Sequence, residues 1–514
     1  MQRLLPALSI LAVMLLGFVH LPHPLGGDQA LFLLGAQELD RGATLYRDFW
    51  DLKQPGVYLF FWLGGKLFGF TEYGVHVFEW LYLTAFALVL TWTARACLSR
   101  WATAVAPLAV AGSYYLISTP WSMTQVEFLA AFPIYCALWC MCSPWRTLRG
   151  RMLGNLAAGS AAAVAAMFKL AFLPILLVAG LAGTLWVHGR DENSWHAIVV
   201  QRWLMAAVGF AVTSAPAVMW LAVTGGLDGF LWTTFTYPVE AMRAGGSKSV
   251  TVLLDAIQWF VVRFGVWLTL ACLALWQWTR KRVHLFPLLL AVWLVCGLGV
   301  IAVQRISWWP YHFQLLIAPA VLLGLYGLDK AKPRWWIACI AIGAAFAPGA
   351  ALMARKAQGL EWSAAWNRRE AVLAYQRSVF ADYDQIWRDT RFLIASEAQP
   401  GPIYVFGNPL YLLLGNRKQA IAQNGWGWDT AAPSQWEALP SELGVAQPAY
   451  VFVDAGYLPM LRRHGGNVLE LLGRNYSLDH ADSAGQWYRS KSNRLGSLQS
   501  HAEVNWTSDG GRPE

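Results

Sequence analysis

Residues 26–58, GGDQALFLLGAQELDRGATLYRDFWDLKQPGVY, gather charge between two of the most apolar segments of the chain. The stretch holds Asp28, Glu38, Asp40, Asp48 and Asp51, with Arg41, Arg47 and Lys53. Asp28 follows Gly26-Gly27 and opens an apolar-periodic helical run. Its position suits a helix N-cap. The plain reading is that cap; a general base held at a membrane surface is the functional one, and the two roles are compatible. Glu38 and Asp40 read as a solvated helix end. Asp48 and Asp51 lie in YRDFWDLKQPG with Lys53 just beyond. Such carboxylates could take a divalent cation, but local pairing with Arg or Lys and support of the loop is the simpler reading. Pro55 suits the first turn of a following helix.

The elements that must hold this loop are membrane spans. The chain is 57% hydrophobic and 13% charged, against about 25% charged for an ordinary soluble protein. Apolar runs of spanning length recur, and the 30 tryptophans fit interfacial belts. A net charge of +9 would suggest nucleic acid in a soluble protein. Here the positive charge sits in short loops, and topology explains it better. The expected spans are 4–21, 73–94, 101–118, 125–142, 152–168, 171–187, 203–223, 254–278, 285–303, 311–328 and 335–353. The N-terminal segment reads as an uncleaved first span, and 56–70 as an interfacial helix.

Alternate loops separate by charge. One set carries Arg95, Arg100, Arg146, Arg149, Arg151, Arg190, Arg202, Arg280, Lys281, Arg282, Lys330, Lys332 and Arg334. The positive-inside rule puts that set in the cytoplasm and the first loop outside. The tail from 355 then lies outside too. In it, EWSAAWNRREAVLAYQRSVFADYDQIWRDTRFLIASEA reads as helix, and PIYVFG and AYVFVDAG as buried strands. The expectation is a polytopic α-helical membrane protein with a catalytic domain over 1–354, including outer loop 22–72. A small α/β domain over 355–514 follows, with a polar end after about 491. The cysteines fall in or beside apolar segments, and the C-x-C of Cys140 and Cys142 reads as packing rather than metal ligation.

An outward loop after span one that opens with Asp, then a short helix, Y-R-D-x-x-D-x-K-Q-P-G and an interfacial helix, resembles a known group. It is similar to the GT-C fold glycosyltransferases that use polyprenol-phosphate sugars, within the family of protein O-mannosyltransferases and lipid A aminoarabinose transferases. Those enzymes often show Asp-Glu where this chain has Asp28-Gln29, and Lys-Pro-Pro where it has Lys53-Gln54-Pro55. TQVEFLAAFP resembles the second acidic position of the family, at Glu127. Thr124 and Glu127 also read as a capping box. MFKLAFLP resembles a lysine turn that would put Lys169 on a lipid-linked phosphate; a snorkelling lysine is its plain reading. ISWWPYHFQLLIAPA resembles the aromatic entry to a late span, and by that likeness Arg305, Tyr311 and His312 contact phosphate or sugar; interfacial anchoring is the plain reading. PIYVFGNPLYLLLGNRK resembles the opening of the outer domain in many bacterial members.

The resemblance implies transfer of a hexose or pentose from a polyprenyl-phosphate donor to an envelope glycan, lipid or protein, with inversion. The site would face the outer side of the bacterial inner membrane. Asp28 would serve as base, Glu127 as a second catalytic carboxylate, and Lys53, Lys169 and Arg305 would stabilise the leaving phosphate. No cofactor is required in that reading, although Asp28 with Glu127 could hold a divalent cation. The alternative classes are a transporter or lipid-linked-sugar flippase, and a membrane-anchored binding protein. A transporter would be expected to carry mid-membrane charges and related halves; here nearly all charges sit at span ends and the halves differ.

Overall fold

A computed structural model describes residues 4–142, 147–188, 195–244, 248–279, 284–305, 307–358, 360 and 362–492. Arg146, Arg190, Arg280, Lys281, Arg282 and the polar end from 493 lie outside the described residues. Each expected span has helix at its place. The chain opens with α1 (Leu5–His20), α2 (Gly27–Asp40), α3 (Pro55–Phe68) and α4 (Glu72–Thr93). Further helices include Arg100–Ile117, interrupted by a π turn at Leu108–Gly112, then Val126–Leu129 with Ala131–Cys142, and Leu148–Phe168. Later come Leu173–His188, Trp195–Thr224, Val250–Trp278, Leu285–Val303, Ile317–Ala331 and Trp335–Gln358. Among the described residues, six helical segments have both the length and the composition to cross a membrane, and shorter apolar ones join them. The protein is multi-pass.

Small residues set how closely these helices approach. A Cβ on Gly159 would lie 1.9 Å from the Ala206 carbonyl oxygen, and one on Gly209 would lie 2.0 Å from that of Leu156. The helices Leu148–Phe168 and Trp195–Thr224 therefore touch backbone to backbone, as small-residue contacts between spans allow. Gly159→Val should separate them and destabilise the protein by about 1–3 kcal/mol. Thermal unfolding in detergent checks this; a transition matching the native one would refute the contact.

Not every charge stays at a span end. Glu79 lies within α4, fully buried, and accepts from the Tyr114 hydroxyl, the Thr124 N–H at 3.1 Å and the Thr124 hydroxyl at 3.0 Å. It pins the turn at Thr124, whose φ is +58°. Such a backbone is uncommon for threonine and has to be held by its surroundings.

The tail forms a four-stranded sheet in the order β1-β2-β4-β3, with β1 (Ile403–Phe406), β2 (Tyr450–Asp454), β3 (Tyr476–Ala481) and β4 (Gly485–Ser490). β1 and β2 run parallel; the remaining pairs are antiparallel. Both expected strands are present. One face, with Ile403, Val405, Tyr450, Phe452 and Trp487, joins the core that continues into the spans. The other, with Tyr404, Phe406, Val451 and Val453, packs on Leu439, Leu443, Leu461, Val468 and Leu472. The expected long helix before the sheet is divided into Trp362–Ala365, Arg369–Val379, Ala381–Asp389 and Arg391–Ile394. The divisions fall at Asn367, with φ of +58°, at the extended residue Phe380 and at Thr390.

Candidate active site

Asp28 sits in the first turn of α2, where the helix dipole favours an anion. The N-cap expectation is corrected: Gly26 is the N-cap, without a side-chain hydrogen bond. The Asp28 carboxylate is turned to other partners. Oδ1 accepts from the indole N–H of Trp426 at 2.7 Å. Oδ2 accepts from the Tyr311 hydroxyl at 3.1 Å and lies 3.6 Å from the Lys53 ammonium. Burial pushes this carboxyl's pKa up, but Lys53, Trp426 and Tyr311 together outweigh burial, and the net shift is downward. Asp28 is thus ionised throughout the neutral range.

The rest of the first loop positions Lys53. Asp48 accepts from the Thr44 N–H at 2.8 Å and pairs with Arg47, away from Asp28. Asp51 is buried and accepts from the Tyr58 hydroxyl at 2.6 Å. The Tyr46 hydroxyl donates to the Lys53 carbonyl at 2.7 Å. α3 begins at Pro55, as the sequence suggests. Burial lowers the pKa of Lys53, but Asp28, Asp51 and Glu127 raise it further than burial lowers it, so it remains an ammonium.

A second acid–base pair lies beside the first. Lys169 occupies the turn between the helix Leu148–Phe168 and Leu170–Phe172. Its ammonium donates to Glu127 Oε1 at 2.8 Å. The same oxygen lies 3.7 Å from His312 Nε2. The turn is fixed to the first loop: Gln54 Oε1 accepts from the Leu170 N–H at 3.1 Å, and a Cβ on Gly56 would lie 2.5 Å from the Met167 carbonyl oxygen. The capping-box expectation for Thr124 and Glu127 is corrected as well. Gln125 is the N-cap, Thr124 is committed to Glu79, and Glu127 is committed to Lys169.

A cavity of about 1190 Å³ opens over these groups. Asp28, Asp51, Lys53, Lys169, Tyr311 and His312 line it, whereas Glu127 stands behind Lys169. Arg305 lines it too, exposed and without a side-chain hydrogen bond or ion pair to a described residue. Asp48 stays outside. Among the described residues, no group of three or more His, Cys, Asp and Glu side chains is gathered to hold a metal ion. Asp28 and Glu127 each face a lysine instead.

Sequence reasoning gave the tail a part in acceptor choice from its position alone and named none of its residues in this wall. Trp426, Tyr457 and Asp429 line the cavity, and Asp429 pairs with Lys248 at 2.6 Å. One signal was present. Gly27 precedes Asp28, and a Cβ there would lie 2.2 Å from the Trp426 ring.

Most of the chain aligns with ArnT from Cupriavidus metallidurans. The crystal structure of ArnT bound to undecaprenyl phosphate gives a TM-score of 0.59 at 15% identity, covering 95% of this chain and 97% of that one. Its apo state gives 0.56 at 14% identity, covering 94% and 97%. The archaeal oligosaccharyltransferase AglB from Archaeoglobus fulgidus, in complex with an inhibitory peptide and a dolichol-phosphate, aligns more loosely, at 0.48 and 13% identity over 96% and 75%. No protein-family model and no curated protein matches the sequence. The chain has the polytopic membrane fold of ArnT.

Proposed function

We propose that the protein transfers a sugar from a polyprenyl-phosphate donor to an envelope glycan, lipid or protein acceptor at the outer face of a bacterial inner membrane. The observation that carries the reading is the cavity itself. It sets the ionised Asp28 carboxylate among the cations Lys53, Lys169 and Arg305. An acceptor hydroxyl would give its proton to Asp28 as its oxygen bonds the anomeric carbon. The bond from that carbon to the phosphate oxygen breaks, and the phosphate departs as an anion. It needs positive charge more than a proton, and the cations supply it. Direct displacement at one centre inverts the anomeric configuration. Undecaprenyl phosphate bound to ArnT supports a lipid-phosphate donor. Residues 1–354 would carry the catalytic membrane domain, and 355–514 an outer domain that completes the cavity.

The test is single-turnover transfer by the native protein in nanodiscs. A panel of polyprenyl-phosphate pentoses and hexoses is offered with lipid A, O-antigen and protein acceptors. Product of inverted configuration with at least one pair is expected. Neither product nor donor binding across the panel would overturn the reading. The 224–250 segment also lines the cavity, through Thr233, Thr234, Tyr237, Pro238 and Met242. Exchanging it with that of a relative of different specificity should change which acceptor is used; unchanged products would count against a role in acceptor choice.

A further inference from the structure

The Asp28 carboxylate has two oxygens and about four acceptor positions. Oδ2 faces Tyr311 and Lys53, both from the membrane part of the chain. Oδ1 has one partner among the described residues, the Trp426 indole, which comes from the tail. That indole is itself fixed from several sides. The Trp426 backbone N–H donates to Asn424 Oδ1 at 2.9 Å, and Asn424 Nδ2 donates to the Trp50 carbonyl in the first loop at 2.7 Å. The Trp50 N–H donates to the Ala422 carbonyl at 2.8 Å, so the loop and the tail pair like short strands. Gly425 lies so close to β1 that a Cβ would fall 1.6 Å from the Val405 carbonyl oxygen. The Gly427 N–H donates to the Tyr457 hydroxyl at 3.3 Å. Gly27 leaves room for the ring, and Trp121 lies nearly parallel to it, at 13° with centroids 6.4 Å apart.

We infer that Trp426 is a positioning residue for Asp28: its indole N–H fixes Oδ1 so that one acceptor position of that oxygen is presented in a set direction. This rests on the transfer reading above. An indole nitrogen only donates, so the contact holds the ionised carboxylate and disfavours its protonated form. It orients the base without competing for the proton. The tail is then part of the reaction centre, since the carboxylate loses a defined orientation when the segment from Ala422 to Gly427 is not docked on the first loop. Other titratable groups that face Asp28 are Lys53 and Tyr58 from the first loop and α3, and Lys169 from its turn. Tyr311 stands at the start of the late span, and Tyr457 in the tail. None of these is changed by removing the indole N–H.

The test compares native protein with Trp426→Phe, which keeps a ring and loses the donor. A second variant, Gly27→Ala, displaces the ring sterically. Both should lower kcat by on the order of 10-fold or more, the worth of a hydrogen bond to a charged group, with donor KM within about twofold. Both should move the acid limb of the pH–rate profile upward. A separate readout is the infrared titration of the carboxylate band that Asp28→Asn removes. That band should titrate at higher pH in both variants, whatever reaction the site performs. An unshifted band and native kcat in folded Trp426→Phe would overturn the inference. A shifted band in a protein that transfers no sugar would keep it and overturn the transfer reading.

Discussion

Asp28→Asn is expected to lower single-turnover transfer by about 10²–10⁴-fold, the usual contribution of general acid–base catalysis, in a protein that still folds. The substitution is nearly isosteric. Its amide oxygen can still accept from Trp426 or Tyr311, which donate to Asp28 at 2.7 Å and 3.1 Å. What it cannot do is take a proton from an acceptor hydroxyl. Lys53 would lose its nearest carboxylate but keep Asp51 and Glu127 to hold it charged. The pH dependence has a definite sign. Burial raises the Asp28 pKa, Lys53 and the two hydrogen bonds lower it more, and the result lies below the ordinary carboxylate value. The base form is present above that lowered pKa and is lost as pH falls through it. Native transfer should therefore not fall through Asp28 protonation between about pH 7 and pH 5, a range above even an unperturbed aspartate. Single-turnover rates across that range, with unfolding midpoints for both proteins, decide the matter. Equal rates for native and variant would remove Asp28 as the base.

The parts of this site that sequence showed are the parts built locally. Asp28, Lys53 and Pro55 share one loop, and the loop stands out because apolar spans flank it. The spans are equally legible, since an apolar run long enough to cross a bilayer is seldom anything but a span. The capping assignments failed for a physical reason. A carboxylate near a helix start is drawn from backbone N–H groups when a buried cation or a stronger donor lies in reach. Lys169 draws Glu127 in this way, and Trp426 with Lys53 draws Asp28. Those partners come from distant parts of the chain, and no local spacing encodes them. β3 was missed because it buries little beyond Tyr476, so the alternation that marks a half-buried strand is weak. Glu79 was passed over because a single acid in an apolar helix gives no hint of the turn it anchors at Thr124.

The pair of Lys169 and Glu127 should matter nearly as much as Asp28, and its effect should depend on pH. Lys169 lines the cavity and Glu127 does not. Burial lowers the Lys169 pKa most, and Lys53 adds to that. Glu127 is the largest opposing influence, and the net shift is downward. In the proposed transfer, Lys169→Met would remove a cation from the leaving phosphate and is expected to cost about 10²–10³-fold, as loss of one electrostatic stabiliser does. Glu127→Gln acts through Lys169. Without the carboxylate, the lysine pKa falls further, so the ammonium is lost as pH rises through a lower value than in the native protein. Transfer by Glu127→Gln should approach the native rate at the acid end and fall away toward alkaline pH, with its alkaline limb displaced downward. The double variant should be no worse than Lys169→Met alone, because residues acting through one contact are not additive. Pre-steady-state rates for the native protein, both single variants and the double variant supply the cycle. A pH-independent loss in Glu127→Gln that multiplies with that of Lys169→Met would instead make Glu127 a second base acting directly on substrate.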